Sequence, residues 1–209
     1  MDYFHYTYKH NHIDFSSHIY KVSTYHYNWH RGVEILVLLK GRIDMSCNSE
    51  VFTMEPLDSI IMSPQVGHAT LALEEDTTAL VIHISKEFFQ HFDPNFGMYQ
   101  FVLRSDASNR NNPFFTSLRN HAAQMMLLMV NGKSPDYQLW LEHHYLALTS
   151  AIYREIDAVK SIPVHTKPAD MTVATFDKMI AYIDENYQQK IELEDIAKIG
   201  GYNVNYTSQ

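Results

Sequence analysis

Apolar positions follow one rhythm up to about residue 105 and another beyond it. Ile35–Leu39 is a continuous run of five apolar residues rich in branched side chains, which reads as a strand buried on both faces. Lys40-Gly41-Arg42 interrupts it. Glu50–Thr53 reads as a short strand, Pro56-Leu57-Asp58 as a turn, Ile60-Ile61-Met62 as a second buried strand and Ser63-Pro64 as its stop, with Ala79–Ile84 closing the set. Upstream, Tyr6-Thr7-Tyr8 and Ile19-Tyr20-Lys21-Val22 alternate as short strands do. Short strands at roughly ten-residue spacing predict an antiparallel sandwich or barrel.

After residue 105 the period becomes helical. Asn112 and Pro113 have the chemistry of an N-cap and first helical residue. Phe115, Leu118, Ala122, Met125 and Met129 then recur at steps of three and four, and Asn131-Gly132 supplies a stop. Ser134-Pro135 restarts a helix whose predicted stripe is Leu139, His143, Leu146, Tyr153 and Ile156. A tight turn between two such helices makes an antiparallel hairpin. Ser161–Asp170 holds two prolines and no apolar period, as a linker does. Phe176, Ile180, Ile183 and Tyr187 mark another helix, and Ile191 to Ile199 a short one ended by Gly200-Gly201; Asn203 then stands where it can cap a helix starting at Val204. The predicted class is α+β, with a β domain at 1–105, a helical hairpin at 106–160, a linker at 161–170 and a helical segment at 171–209.

Composition narrows the function. With 209 residues, 45% hydrophobic and 13% aromatic, the chain can bury a sizeable core and is too apolar for disorder. No stretch approaches the roughly 18 apolar residues of a membrane span, and the N-terminus lacks a signal-peptide pattern, so a cytoplasmic protein is expected. The one cysteine, Cys47, excludes an internal disulfide and any multi-cysteine zinc site. Residues 1–30 hold six His and six Tyr but only four charged residues. Such an arm supplies aromatic faces for sugar C–H groups, or equally an ordinary strand edge. The net charge of −8 lacks the basic excess typical of nucleic-acid binders.

Candidate chemistry clusters in the β region. His30, Glu34 and Gly41 are spaced H-x3-E-x6-G, followed by Asp58, Pro64 and His68. Residues 34, 36, 38 and 40 of one strand share a face. An inward Glu34 therefore brings Lys40 with it, and His30 and His68 reach the same cavity from flanking turns. Asn28, His30, Glu34, Lys40 and His68 are the expected lining of a small polar-ligand site. Each residue also has a plainer reading: Glu34 paired with Lys40 or Arg42, His68 bonded to turn backbone, His30 at the surface.

These spacings resemble the two motifs of the cupin family, across about 60 residues. Two positions depart from the pattern: Asn28 stands where the first metal-ligand His belongs, and Leu57 where the turn Gly belongs. The resemblance implies a jelly-roll barrel. With Asn28 in a ligand position no resident metal is expected; were one held, His30, Glu34 and His68 would be its ligands, with His26 as a nearby substitute.

The C-terminal segment reads as a helix-turn-helix: Ala197 is small where two helices cross, Gly200-Gly201 turns, and Asn203 caps. Ile180 to Tyr187, Ile191-x-Leu193-x-Asp195-Ile196-Ala197 and Gly201-Tyr202-Asn203-x-x-Tyr206 closely resemble the start of the AraC-type DNA-binding domain. The order of sensor barrel, dimerising helices, linker and DNA-binding domain matches one-component regulators of that family. The resemblance implies a homodimeric transcription regulator that binds a small effector, a sugar or sugar derivative first, with Asn203, Asn205 and Tyr206 facing DNA. Residues 171–209 carry three Lys against six Asp and Glu. This chain alone is therefore expected not to bind operator DNA, the basic remainder of such a domain lying outside a fragment or truncated product. A metal-dependent cupin enzyme and a dimerisation module without a ligand are the competing readings. No membrane partner is expected.

Overall fold

A computed structural model describes residues 2–22, 26–48, 50–132, 134–159, 178–179, 182–183 and 185–201. The chain divides into two compact units, Met1–Ile162 and Pro163–Gln209.

The first unit begins with a long hairpin, β1 (Asp2–His10) and β2 (Ile13–Lys21). Then follow β3 (His26–Asn28), β4 (Val33–Lys40), β5 (Ile43–Cys47), β6 (Glu50–Met54), β7 (Ser59–Met62), β8 (His68–Ala72) and β9 (Thr78–Ile84). A short helix α1 (Lys86–Gln90), a 3₁₀ turn at Phe96–Met98 and β10 (Val102–Arg104) lead to α2 (Pro113–Asn131) and α3 (Tyr137–Val159). One sheet has the order β1-β2-β9-β4-β7-β10 and the other β3-β8-β5-β6. All pairings are antiparallel. Strands β2 to β9 thus form the eight-stranded double Greek key of a jelly roll, with β1 and β10 added at the edges of one sheet.

The six-stranded sheet is covered twice. Leu36, Leu38, Ile60, Met62 and Val81 face the second sheet, packing with Ile43, Met45 and Met54. Val33, Ile35, Val37, Ile61, Leu80 and Ile82 face the helical layer, packing with Phe115, Leu118, Met125, Tyr145 and Ile152. Double coverage explains why Val33 through Leu38 are all buried; of the apolar run Ile35–Leu39 only Leu39 is exposed, at the end where β4 leaves the layers.

Helix α2 follows its sequence pattern. Asn112 caps it by accepting from the Phe115 amide at 2.9 Å, Pro113 opens it, and its predicted stripe is buried throughout. Helix α3 corrects the expectation. Of the predicted stripe Ile156 is buried and Tyr153 half-buried, whereas Leu139, His143 and Leu146 are exposed and Leu141, Tyr145, Leu148 and Ile152 are buried in their place. Both sides of α3 are apolar, and the bulkier stripe headed by Tyr145 fills the space over the sheet.

Two turns frame the barrel. Gly41 has φ +78°, and a Cβ there would stand 2.3 Å from Thr77 Oγ1, so no other residue fits. Leu57, where the cupin pattern has Gly, adopts φ +73° regardless. Its neighbour Asp58 is buried and accepts from the Glu55 amide at 2.9 Å and from Arg110 Nε at 3.0 Å, which ties that turn to the segment entering α2.

In the second unit the described helix is α4 (Leu193–Gly200). Glu192 and Asp195 form a reciprocal capping box, Ala197 is buried, and Gly201 closes the helix at φ +67°. Asn203, Asn205 and Tyr206 lie outside the described residues. No helix among the described residues is long and apolar enough to cross a membrane.

Candidate functional site

The inner face of the jelly roll turns polar at one end. On β4, Leu36 and Leu38 are followed toward that end by Glu34; on β9, Val81 is followed by His83, which the antiparallel register sets opposite Glu34. On the other sheet His68 pairs with Asn28. His30 enters from the loop between β3 and β4. Four chain segments, drawn from both sheets, thus deliver their polar residues to one place.

Glu34 is the hub. His83 donates from Nε2 to Glu34 Oε2 at 2.9 Å, since a carboxylate can only accept. His30 Nε2 lies 3.2 Å from Oε2 and His68 Nε2 3.3 Å from Oε1. The side chains of His68 and Glu34 are 0% and 4% exposed and that of His30 11%, while His83 at 35% opens toward solvent.

The outer nitrogens fix the tautomers. His30 donates from Nδ1 to the Gly32 carbonyl at 2.7 Å, and His68 from Nδ1 to the Val66 carbonyl at 3.2 Å. In the neutral rings both Nε2 atoms are therefore bare acceptors, and both are buried without a well-directed hydrogen bond. They face a carboxylate, which supplies no proton. The ligand atoms of His30, Glu34 and His68 all lie within 4.8 Å of one another. With His68 in its neutral form, three electron-rich groups converge there, a receptor for a hydrogen-bond donor or a cation.

The electrostatics follow from this crowding. Burial favours the neutral acid of Glu34, but the contacts with His68 and His83 outweigh it and hold the carboxyl well below the usual range. Burial lowers the His30 pKa more than Glu34 raises it, so His30 is held neutral. Burial also works against a charged His68, but the contact with Glu34, helped by the Val66 carbonyl, outweighs it and lifts its pKa. Two histidines around one carboxylate are pushed in opposite directions.

Above the cluster opens a cavity of about 370 Å³, lined by His18, Tyr20, Asn28, Trp29, His30, Glu34, Val81 and His83. That is the size of a small-molecule site, with aromatic walls and a few convergent polar groups.

Of the residues singled out in the sequence, Asn28, His30, Glu34 and His68 come together here. Lys40 does not. It lies on the same strand six residues from Glu34, about 20 Å away at strand rise. A register irregularity separates it from Leu38, and its end of β4 is exposed. Facial alternation is blind to distance along the strand. His83, His18 and Tyr20 escaped the reading. A lone histidine inside the apolar run Ala79–Ile84 was the available signal, but only strand register sets it against Glu34. The His26 side chain lies outside what the structure describes.

No family model and no curated protein matches the chain. Solved structures do match. ToxT from Vibrio cholerae O395 superimposes with a TM-score of 0.50 at 11% identity, covering 93% of this chain and 72% of that one. The AraC-like transcriptional activator CuxR gives 0.51 at 11% identity, covering 95% and 70%. The chain is similar in fold to both of these structures. At this identity the likeness shows architecture, and the contents of the cavity are this chain's own.

Proposed function

We propose that the chain is the sensing portion of a ligand-responsive transcription regulator rather than an enzyme. Its jelly roll binds a small polar molecule, of which a carbohydrate is the foremost class. Occupancy biases the arrangement of α2 and α3, which pair two chains, and through them a C-terminal DNA-binding domain of which 171–209 is the beginning. Asn203, Asn205 and Tyr206 are assigned to the DNA side on sequence grounds, with operator binding absent from this acidic chain by itself. The observation that carries the reading is the convergence of His30 Nε2, His68 Nε2 and the Glu34 carboxylate beneath a cavity of about 370 Å³ walled by Tyr20 and Trp29. Sugar hydroxyls donate to the Glu34 carboxylate and to neutral His30 while ring C–H groups lie on the aromatic walls.

The test is a thermal-melting and calorimetric screen of neutral sugars and sugar acids. A ligand at 100 times its Kd adds about 2.7 kcal/mol of stability. A hit whose effect is lost in Glu34→Gln supports the reading, and an inert cavity across such a library sinks it.

A second reading rests on the same atoms. Two buried imidazoles, each oriented by an Nδ1–H to a backbone carbonyl, with one carboxylate, fit a divalent transition metal, and His83 stands ready as a fourth ligand. Such a metal would supply a Lewis-acidic anchor for the effector, or for the substrate of a cupin-type enzyme. One equivalent of iron or manganese in the purified protein, lost in His68→Ala, would favour it.

A further inference from the structure

The helical hairpin carries a second histidine cluster, in a different layer from the cavity. His121 of α2 and His144 of α3 meet across the helix pair, their Nδ1 atoms 3.0 Å apart. Their ring centroids are 5.3 Å apart, His143 lies 5.0 Å from His144, and Trp140 stacks on His144 at 6.1 Å. Both members of the pair are part-buried.

Two imidazoles in this contact share one proton at most. One ring holds it on Nδ1 and the other accepts it. Moving that proton to Nε2 of its own ring frees two Nδ1 lone pairs on nitrogens 3.0 Å apart, which one ion can take up as the rings turn toward it. With metal–nitrogen bonds of about 2.0–2.1 Å, a 3.0 Å separation closes an angle of roughly 95° at a metal. Tetrahedral zinc would need the nitrogens about 3.3 Å apart. Adjacent positions of a tetragonal or octahedral centre match, and these suit copper(II) or nickel(II) with imidazole ligands. The two ligands sit on packed helices, since Ala122 beside His121 and Tyr145 beside His144 are both fully buried. The two nitrogens are therefore held close together before any ion arrives.

We propose that His121 and His144 form a two-histidine site for a late first-row divalent cation, copper(II) or nickel(II), on the α2–α3 hairpin, separate from the Glu34 cavity. Solvent completes the coordination. The site clamps two helices together across their interface, so bound metal stiffens the hairpin.

Trp140 makes the site readable. In Trp29→Phe it is the sole tryptophan of the full chain, and copper(II) or nickel(II) at the pair lies close enough to quench it. Titration of Trp29→Phe with nickel chloride is expected to quench Trp140 saturably with one equivalent. In that background His121→Ala or His144→Ala weakens the quenching at least tenfold, comparable to or beyond the loss of an outer-shell partner. His143→Ala and Glu34→Gln leave it unchanged. His121→Gln, closer in size and polarity, covers the case in which alanine disturbs the hairpin, and far-UV circular dichroism confirms the fold of each variant. Quenching that persists at the same nickel concentration in both His121→Ala and His144→Ala, or that vanishes in Glu34→Gln, would overturn the proposal.

Discussion

The two faces of the six-stranded sheet are built from alternate residues of the same strands, yet they have different work. On the helical side, Val33, Ile35 and Val37 of β4 join Phe115, Leu118 and Tyr145 in an apolar layer. On the inner side the same strand runs Leu38, Leu36, Glu34, passing from a sealed core to a buried carboxylate within four residues. The first face gains from being dry, at roughly 1.5–3 kcal/mol for each large side chain buried. The second accepts a desolvated charge ringed by histidines, an arrangement that adds little stability but holds unfilled hydrogen-bonding capacity ready. The dry face and the face proposed to bind the ligand are thereby separated by one residue in sequence.

That separation is testable, beginning with its largest consequence. Ile35→Ala is expected to cost about 2–5 kcal/mol in urea unfolding while leaving the affinity of any cavity ligand within a few-fold. Glu34→Gln is expected to lose the ligand-induced rise in melting temperature, which Ile35→Ala keeps. A cavity ligand that still raises the melting temperature of Glu34→Gln would break the contrast.

The histidines predict the next effect, which is a matter of sign. His68 has a raised pKa in the fold, so the stability it contributes is fully present below its unfolded value of about 6.5 and is lost as pH rises through the folded value. Glu34 is depressed, so its contribution is present above about 4.3 and lost as pH falls below that. His30, lowered by burial, opposes His68 near neutrality. Unfolding at pH 6 and pH 8 is expected to show His68→Gln losing more stability, relative to the parent, at pH 6. A larger loss at pH 8 would contradict the assignment of charge to His68.

Smaller effects lie away from both faces. Leu57→Gly relieves a left-handed leucine and is expected to stabilise by about 0.5–1 kcal/mol, the relief being partly offset by the freer unfolded chain. Lys40→Ala, at the far exposed end of β4, is expected to leave stability within about 0.5 kcal/mol and ligand binding unaltered. An effect on binding would restore Lys40 to the cavity.

Local patterns made some parts of this molecule legible. The apolar run at Ile35, the cap at Asn112, the stripe from Phe115 to Met129 and the stop at Gly200-Gly201 each depend on interactions within a few residues. The cavity was half legible. The spacing of His30, Glu34 and His68 marks a shared site, because the chain must turn back on itself between those positions. His83 and Lys40 exchanged places for one reason: membership of a site depends on which residue stands opposite across a strand pair, and on distance along the strand, neither of which alternation encodes. Helix α3 shows the same limit, having two apolar sides of which the sheet selects one.

By itself, then, the sequence determined the elements, their caps and breaks, and the polar residues placed among apolar ones, because these follow from side-chain chemistry over short separations. The tertiary structure alone decided that His83 rather than Lys40 joins Glu34, His30 and His68, that Tyr145 rather than Leu146 faces the sheet, and that His121 meets His144. Those are contacts between residues 23 to 49 positions apart, or choices between nearly equivalent helix faces, and they are set by strand register and helix packing, which no local pattern carries.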